Sequence, residues 1–74
     1  MKYREVIRVL HWEFWVDDDN PNRFVVYEVR DGDVIGFIEM TDGIPNNIKD
    51  LEQKLTGWLE QDVYEFVEEN IEHC

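Results

Sequence analysis

The final stretch of the chain, WLEQDVYEFVEENIEHC at residues 58–74, holds the side chains whose type and spacing point most clearly to recognition chemistry. It contains six acids and neither Lys nor Arg. Residues three and four apart on a helix lie about 5–6 Å apart at Cβ, so flexible carboxylates at these spacings can imitate a row of phosphates. The six acids are Glu60, Asp62, Glu65, Glu68, Glu69 and Glu72.

Acids at this end of a predicted helix are unfavourable for folding. Glu65 and Glu69 form a like-charge pair four residues apart, as do Glu68 and Glu72. Acids near a helix C-terminus also oppose the helix dipole by roughly 0.3–1 kcal/mol each, so the total cost is on the order of 1–3 kcal/mol. We interpret the pattern as a functional acidic surface. The alternative is a solvated acidic face that keeps a small protein soluble.

Further acids lie in two predicted turns. The turn at residues 17–23 contains three successive aspartates, and Asp31 and Asp33 flank the second turn. Because these turns lie at opposite ends of a meander, we expect contacts with a partner at more than one place. The predicted partner-binding residues are Asp17, Asp18, Asp19, Glu60, Glu65, Glu68, Glu69 and Glu72, with Trp15 and Trp58 as aromatic anchors of the kind common in binding hot spots.

Metal binding is not predicted. A calcium loop that began at Asp17 would have Pro21 at its fifth position and Asn22 at its sixth, where an acid and a glycine are required. His73 and Cys74 with Glu69 do not complete a four-ligand zinc site. No cofactor is predicted either, and the single cysteine cannot form an internal disulfide, which fits a reducing compartment.

The sequence also predicts that the protein is not an enzyme. His11, with Glu13 or Glu5, is the one candidate for acid–base catalysis, which uses a group that titrates near neutral pH. A second member of a catalytic set is not visible, and the chain contains no Ser, the commonest hydroxyl nucleophile. Gly-rich phosphate loops, HExxH and CxxC are absent from the sequence as well.

A formal charge of −11 restricts the partners. DNA, RNA and anionic membranes repel such a surface, whereas a basic protein surface attracts it. The N-terminal residues 1–16 contain charges and no long apolar run, so they predict neither a secretory signal nor a membrane span. We therefore expect a cytoplasmic protein in the host cell.

The first half of the chain predicts three strands. Residues 3–16 fit a long strand with a bulge near Val9, although apolar residues also recur there at helical spacing. Residues 24–30 and 33–40 fit two strands joined by Asp31-Gly32 as a two-residue type I′ turn. That register places Val25 and Tyr27 on the core face. It leaves a half-apolar second face, Phe24, Val26, Ile35 and Phe37, for a partner or a second copy.

The second half predicts helix. Asn47 can cap a helix start, with Asp50 three residues further on. Gly57 interrupts the helical pattern, which allows one long helix or two pieces hinged at Thr56-Gly57. The predicted fold is α+β: a three-stranded antiparallel meander, then the helical segment packed on one sheet face, in a single domain of residues 1–74. The apolar stripe is Ile48, Leu51, Leu55, Leu59, Val63, Phe66, Val67 and Ile71.

In composition alone, the chain resembles the small acidic proteins that phages and mobile elements use against host nucleic-acid machinery, such as restriction, repair or CRISPR enzymes. The first hypothesis is therefore a non-enzymatic inhibitor that mimics nucleic acid and occupies a basic nucleic-acid-binding protein or nucleoprotein complex. Salt-sensitive binding would favour it. The second hypothesis is a small homodimeric assembly module that uses the half-apolar sheet face. Salt-insensitive self-association would favour that alternative.

Overall fold

A computed structural model describes residues 3–41 and 43–74, with side chains described from residue 6 onward. Five antiparallel strands form one sheet in which they lie in chain order, and both helices come between the fourth and the fifth strand. The prediction of three strands is wrong, although the α+β class is correct. The elements are β1 (Tyr3–Val9), β2 (Trp12–Asp17), β3 (Arg23–Glu28), β4 (Asp33–Glu39), α1 (Ile48–Thr56), α2 (Glu60–Asn70) and β5 (Ile71–His73).

The predicted first strand is a hairpin of two strands. Val9 pairs with Trp12, and the chain reverses at Leu10 and His11. Leu10 takes a φ of 57°, the left-handed region that is uncommon for a residue with a branched side chain. The change in apolar parity near Val9 therefore marks a reversal of the chain rather than a bulge within one strand.

The turn between β3 and β4 also differs from the prediction. Four residues, 29–32, connect the strands, and the Gly32 N–H donates to the Glu28 carbonyl at 2.8 Å. Gly32 has a φ of 69° whereas Asp31 has no positive φ, so the turn is not type I′, which needs both. Val25 consequently pairs with Phe37, not with Ile38. A shift of one residue moves each side chain to the opposite face of the sheet.

The helices cover the sheet face that contains Phe14, Val26 and Ile38, each 0% exposed. Phe24, which was predicted on the half-apolar free face, is also 0% exposed in this core. Val25, which was predicted in the core, belongs to the opposite face. The second hypothesis therefore loses the surface it named, because the chain's own helices cover most of it.

Local signals place the two helices. Asn47 caps α1, and its side chain accepts from the Asp50 N–H at 2.9 Å, which confirms the predicted cap. The helical segment is divided at Gly57, one of the two forms that the sequence allowed. The predicted apolar stripe is wrong at two positions. Leu59 is 76% exposed before α2, and Ile71 begins β5.

Strand β5 completes the sheet beside β4. Gly36 pairs with His73, and Ile38 pairs with Ile71. A Cβ atom at Gly36 would overlap the backbone oxygen of Glu72 and lie 2.9 Å from Cγ1 of Ile71. The close approach of β5 therefore requires glycine at this position. In the described part of the chain, neither helix has the length and apolar character needed to cross a membrane.

Candidate functional site

The outward face of α2 is a continuous acidic surface. Val63, Phe66 and Val67 turn inward to the core and are at most 7% exposed. Because carboxylates three and four positions apart share the opposite side of the helix, they form two adjacent rows there. We call this set the acidic row, and its members, all exposed, are Asp62, Glu65, Glu68 and Glu69.

The acidic row carries uncompensated charge. Within residues 6–41 and 43–74, none of its four carboxylates forms an ion pair or a side-chain hydrogen bond. Helix α2 has no basic residue in its last turn. Glu60 lies in the first turn, where a negative charge is favourable. The helix is therefore stabilised electrostatically at its start and destabilised at its end.

A cleft of about 360 Å³ lies along the acidic row. Trp58 and Phe66 line it with their rings edge to face, 5.7 Å between centroids, and Trp58 is 37% exposed. The Lys54 ammonium lies 5.0 Å from the Trp58 ring centroid. The exposed face of the Trp58 indole therefore already contacts one cation, in the arrangement that aromatic rings favour. The carboxylates of Asp62, Glu65 and Glu69 line the same cleft.

The aspartates predicted to join this surface have other positions. Asp17 is only 5% exposed, and its carboxylate accepts from the Asp19 N–H at 2.8 Å. It therefore stabilises its own turn and is not accessible to a partner. Asp18 and Asp19 are exposed in the connection between β2 and β3.

Two further predicted residues lie on the sheet face that no described helix covers. The Trp15 ring stacks on Tyr27 with 4.8 Å between centroids, and its indole N–H donates to Glu13 at 3.1 Å. Glu72 pairs with Phe37 in β5 and is not in a helix, so the predicted Glu68–Glu72 helical pair does not exist. The predicted site thus separates into the acidic row with Trp58, the turn aspartates, and the uncovered sheet face.

A polar cluster that sequence reasoning did not identify connects distant elements. His11 Nδ1 lies 2.7 Å from Oε2 of Glu28, and His11 Nε2 lies 2.9 Å from the Tyr64 hydroxyl. The Arg30 backbone N–H and Nε donate to Oε1 of Glu28 at 3.1 and 3.3 Å. In a neutral His11 that donates through Nδ1, Nε2 would accept from Tyr64. The cluster links the β1–β2 turn to β3 and to α2 by hydrogen bonds.

Glu28 is ionised in this cluster. Its burial alone would raise its pKa, but hydrogen bonds from Arg30 and His11 outweigh burial and hold the pKa below the usual 4.5. Glu13, one of the two neighbours that the sequence assigned to His11, is not its partner here. Glu13 accepts from Trp15, and the Glu5 side chain lies outside the described residues. Because the Glu28 carboxylate is held by His11 and by Arg30, a structural role is the simplest account of it.

Comparison with protein-family models, with curated proteins and with solved structures finds no match for this chain. Across residues 6–41 and 43–74, no three His, Cys, Asp or Glu side chains are grouped as a metal ion would require. Cys74 is an exposed free thiol.

Proposed function

We propose that this protein is a non-enzymatic inhibitor that binds a basic, nucleic-acid-binding protein through the acidic row of α2. The observation that carries the proposal is the set of four outward carboxylates that have no ion-pair partner among the described residues. Cationic side chains placed to contact phosphates would find carboxylates at comparable positions. The protein would then exclude nucleic acid from that surface by competition.

The electrostatics of α2 support this proposal. Repulsion within the acidic row destabilises the free protein, and so does the position of Glu68 and Glu69 in the last turn, where they oppose the helix dipole. A basic partner would relieve both effects on binding, because each of its cations would lie near an unpaired carboxylate. Complementary potentials also accelerate association and make it dependent on salt. The overall charge of −11 would direct the approach of the partner from a distance.

Exposed apolar side chains beside the acidic row would add binding free energy to that of the charge contacts. Leu59 is 76% exposed and Trp58 37% exposed, and both lie immediately before α2. Exposed aromatic residues commonly dominate binding free energy at the centre of an interface. A lysine or arginine of the partner could contact the Trp58 ring in the cleft while its charge meets Asp62 or Glu65.

The biological setting that fits this mode of action is counter-defence by a phage or mobile element, of the anti-restriction or anti-CRISPR type. The partner would be a basic nucleic-acid-binding protein or a nucleoprotein complex in the cytoplasm of the host cell. The protein itself would bind neither free nucleic acid nor a membrane, because both repel its charge.

The test is capture of partners from host lysate on the immobilised protein, with elution by rising salt and identification by mass spectrometry. We expect a basic nucleic-acid-binding protein to elute between about 0.2 and 0.5 M salt, where exposed charge contacts are screened. The purified partner should then lose its nucleic acid as the inhibitor is added. A partner whose retention does not depend on salt would contradict the proposal.

Matched variants locate the contact. Glu65→Gln with Glu69→Gln changes the net charge from −11 to −9 within the acidic row, and Glu52→Gln with Asp31→Asn makes the same change outside it. All four positions are exposed. We expect the first pair to weaken binding at least tenfold and the second pair to change it by less than about twofold. Equal effects of both pairs would mean that net charge alone controls binding.

A further inference from the structure

The sheet face opposite the helices, which we call the open face, has an apolar centre. Val6, Trp15, Val25 and Phe37 lie side by side across β1 to β4, one from each strand, according to the strand register. Val6 is 53% exposed, and Trp15 and Phe37 are half-buried. Val25 is 2% exposed but does not belong to the core, so its own neighbours on the open face cover it.

Charges of both signs surround this apolar centre. Among the described side chains, the strand register places two arginines and four acids on the open face, a net charge of −2 in a chain of −11. Most of the chain's negative charge therefore lies elsewhere, notably on α2. The six charged residues are Arg8, Glu13, Asp17, Arg23, Glu39 and Glu72.

The two arginines of the open face have unused hydrogen-bonding capacity. The Arg23 guanidinium lies over the Phe37 ring at 3.9 Å, and its Nε is buried without a hydrogen-bond acceptor. Arg8 donates through Nε to the Leu10 carbonyl at 3.4 Å. Among the described residues, neither arginine forms an ion pair. The contact of the Arg23 guanidinium with the Phe37 ring is favourable, whereas burial of its Nε without an acceptor is costly. The remaining N–H groups of both arginines can donate to carboxylates of a partner.

We infer that the open face binds the open face of a second copy of this chain, in a two-fold symmetric dimer. In such an interface each copy contributes the same residues, so arginines of one copy can meet glutamates of the other. A face that carries two arginines and four acids can approach its own copy with less repulsion than α2, which carries five acids and no basic residue. Two acidic rows would then point outward from opposite sides of the dimer.

The size of the open face sets the expected affinity. Strands of six to seven residues, about 3.3 Å per residue and about 4.8 Å between strands, give a sheet of roughly 20 × 20 Å. This is smaller than the roughly 800 Å² per partner of a stable interface. We therefore expect a reversible dimer with a dissociation constant of roughly 10–100 µM, not a permanent one.

Sedimentation equilibrium of the full chain between about 5 µM and 1 mM tests the inference. We expect the mass to rise from monomer to dimer across this range, and the amide NMR shifts that change on dilution to lie in β1 to β4. A monomeric mass at 1 mM would overturn the inference. Shift changes confined to α2 would overturn it as well, because they would place self-association on the acidic row.

Two apolar-to-acid variants distinguish a local effect at the open face from an effect of net charge. Val6→Glu and Leu59→Glu both start from an exposed apolar residue and both change the net charge from −11 to −12. We expect Val6→Glu to raise the dimer dissociation constant at least tenfold and Leu59→Glu to leave it within about twofold. Circular dichroism establishes that each variant is folded. Equal weakening by both variants would contradict the assignment to the open face.

Discussion

At the scale of single residues, Glu28 is the carboxylate on which the most structure depends. It is 5% exposed, at the end of β3, on the side of the sheet that the helices cover. One oxygen accepts from the Arg30 backbone and side chain, and the other faces His11 at 2.7 Å. A buried charge is tolerated where such partners replace its water. Through His11, the same carboxylate is linked to Tyr64 of α2.

We expect Glu28→Gln to lower the free energy of unfolding by about 1–3 kcal/mol at pH 7, because charged hydrogen bonds are lost. The pKa of Glu28 is lowered in the folded protein, so its ionised form stabilises the fold above the ordinary pKa of 4.5, and that contribution disappears as the pH falls through the folded value. Urea unfolding between pH 3 and 8 should therefore show a weaker loss of stability in acid for the variant.

Glu52→Gln is the control for this prediction, since Glu52 is exposed on α1 and its side chain has no hydrogen-bond or ion-pair partner in the described part of the chain. It should leave both the stability and its pH dependence within about 0.5 kcal/mol of the unchanged protein. If Glu28→Gln behaves like this control, the hydrogen-bond cluster does not stabilise the fold.

At the scale of secondary structure, the decisive contact is that of β5 with β4. Three residues of β5 pair with Gly36, Phe37 and Ile38, and the Cys74 N–H donates to the Ile35 carbonyl at 3.2 Å. The contact holds the end of α2 against the sheet. It is possible because Gly36 presents no side chain to the Glu72 backbone.

Two glycine-to-alanine variants test this contact. We expect Gly36→Ala to lower the free energy of unfolding by about 1–3 kcal/mol, because its Cβ would overlap backbone that cannot move without breaking strand pairs. Gly57→Ala should be neutral or stabilise by about 0.4–1 kcal/mol, because Gly57 has an ordinary φ of −82° and a Cβ there would make only ordinary van der Waals contacts, the nearest with the Gln53 backbone oxygen at 3.6 Å. Thermal unfolding measures both, and a mild effect at Gly36 would mean that β5 contributes little.

Local signals predicted local structure in this chain, and contacts between distant residues were the part that could not be predicted. The Asn47 cap and the break at Gly57 depend on neighbouring residues and were visible in the sequence. The hairpin at Leu10 was visible only as a parity change, since no Gly or Asn marks the turn. Strand β5 is too short to show a periodicity. The cluster joins His11 to Tyr64, 53 positions apart, and no sequence pattern links them.

For the candidate site, the prediction of an acidic helix face depended on helical spacing and needed only α2 to form. Leu59 was assigned to the core because the apolar stripe was continued across the break at Gly57. Asp17 was assigned to the surface because acids in turns are usually exposed, whereas its carboxylate caps its own turn. The predicted register between β3 and β4 was wrong by one residue. This error exchanged the two faces of β3, so the sequence did not predict the open face.

At the scale of the whole molecule, charge is divided between two sides. The acidic row occupies the helical side, and charges of both signs surround the aromatic open face. The charges of α2 that would bind a basic partner also destabilise the free helix, so folding and recognition favour different residues there. A sequence optimised only for stability would have basic residues in the last turn of that helix.

We expect Glu69→Lys to raise the free energy of unfolding by about 0.5–1.5 kcal/mol, because it favours the helix dipole and creates an attractive pair with Glu65. The same variant should abolish capture of a basic partner. Glu60→Lys makes the same change in net charge, from −11 to −9, but at the helix start, and should lower stability by about 0.3–1 kcal/mol. Urea unfolding distinguishes them, and a stability change of the same sign in both would indicate an effect of net charge alone.

The brevity of β5 has a consequence for the behaviour of the protein at high concentration. A three-residue strand can detach at a lower free energy than the whole fold needs to unfold. Each detachment would uncover the hydrogen-bonding edge of β4, where a strand from another molecule could add and begin edge-to-edge aggregation. While β5 stays paired, it covers this edge, and the negative charge of Glu72 discourages addition of another strand to β5 itself. This acid therefore protects the sheet margin even though it takes no part in the acidic row.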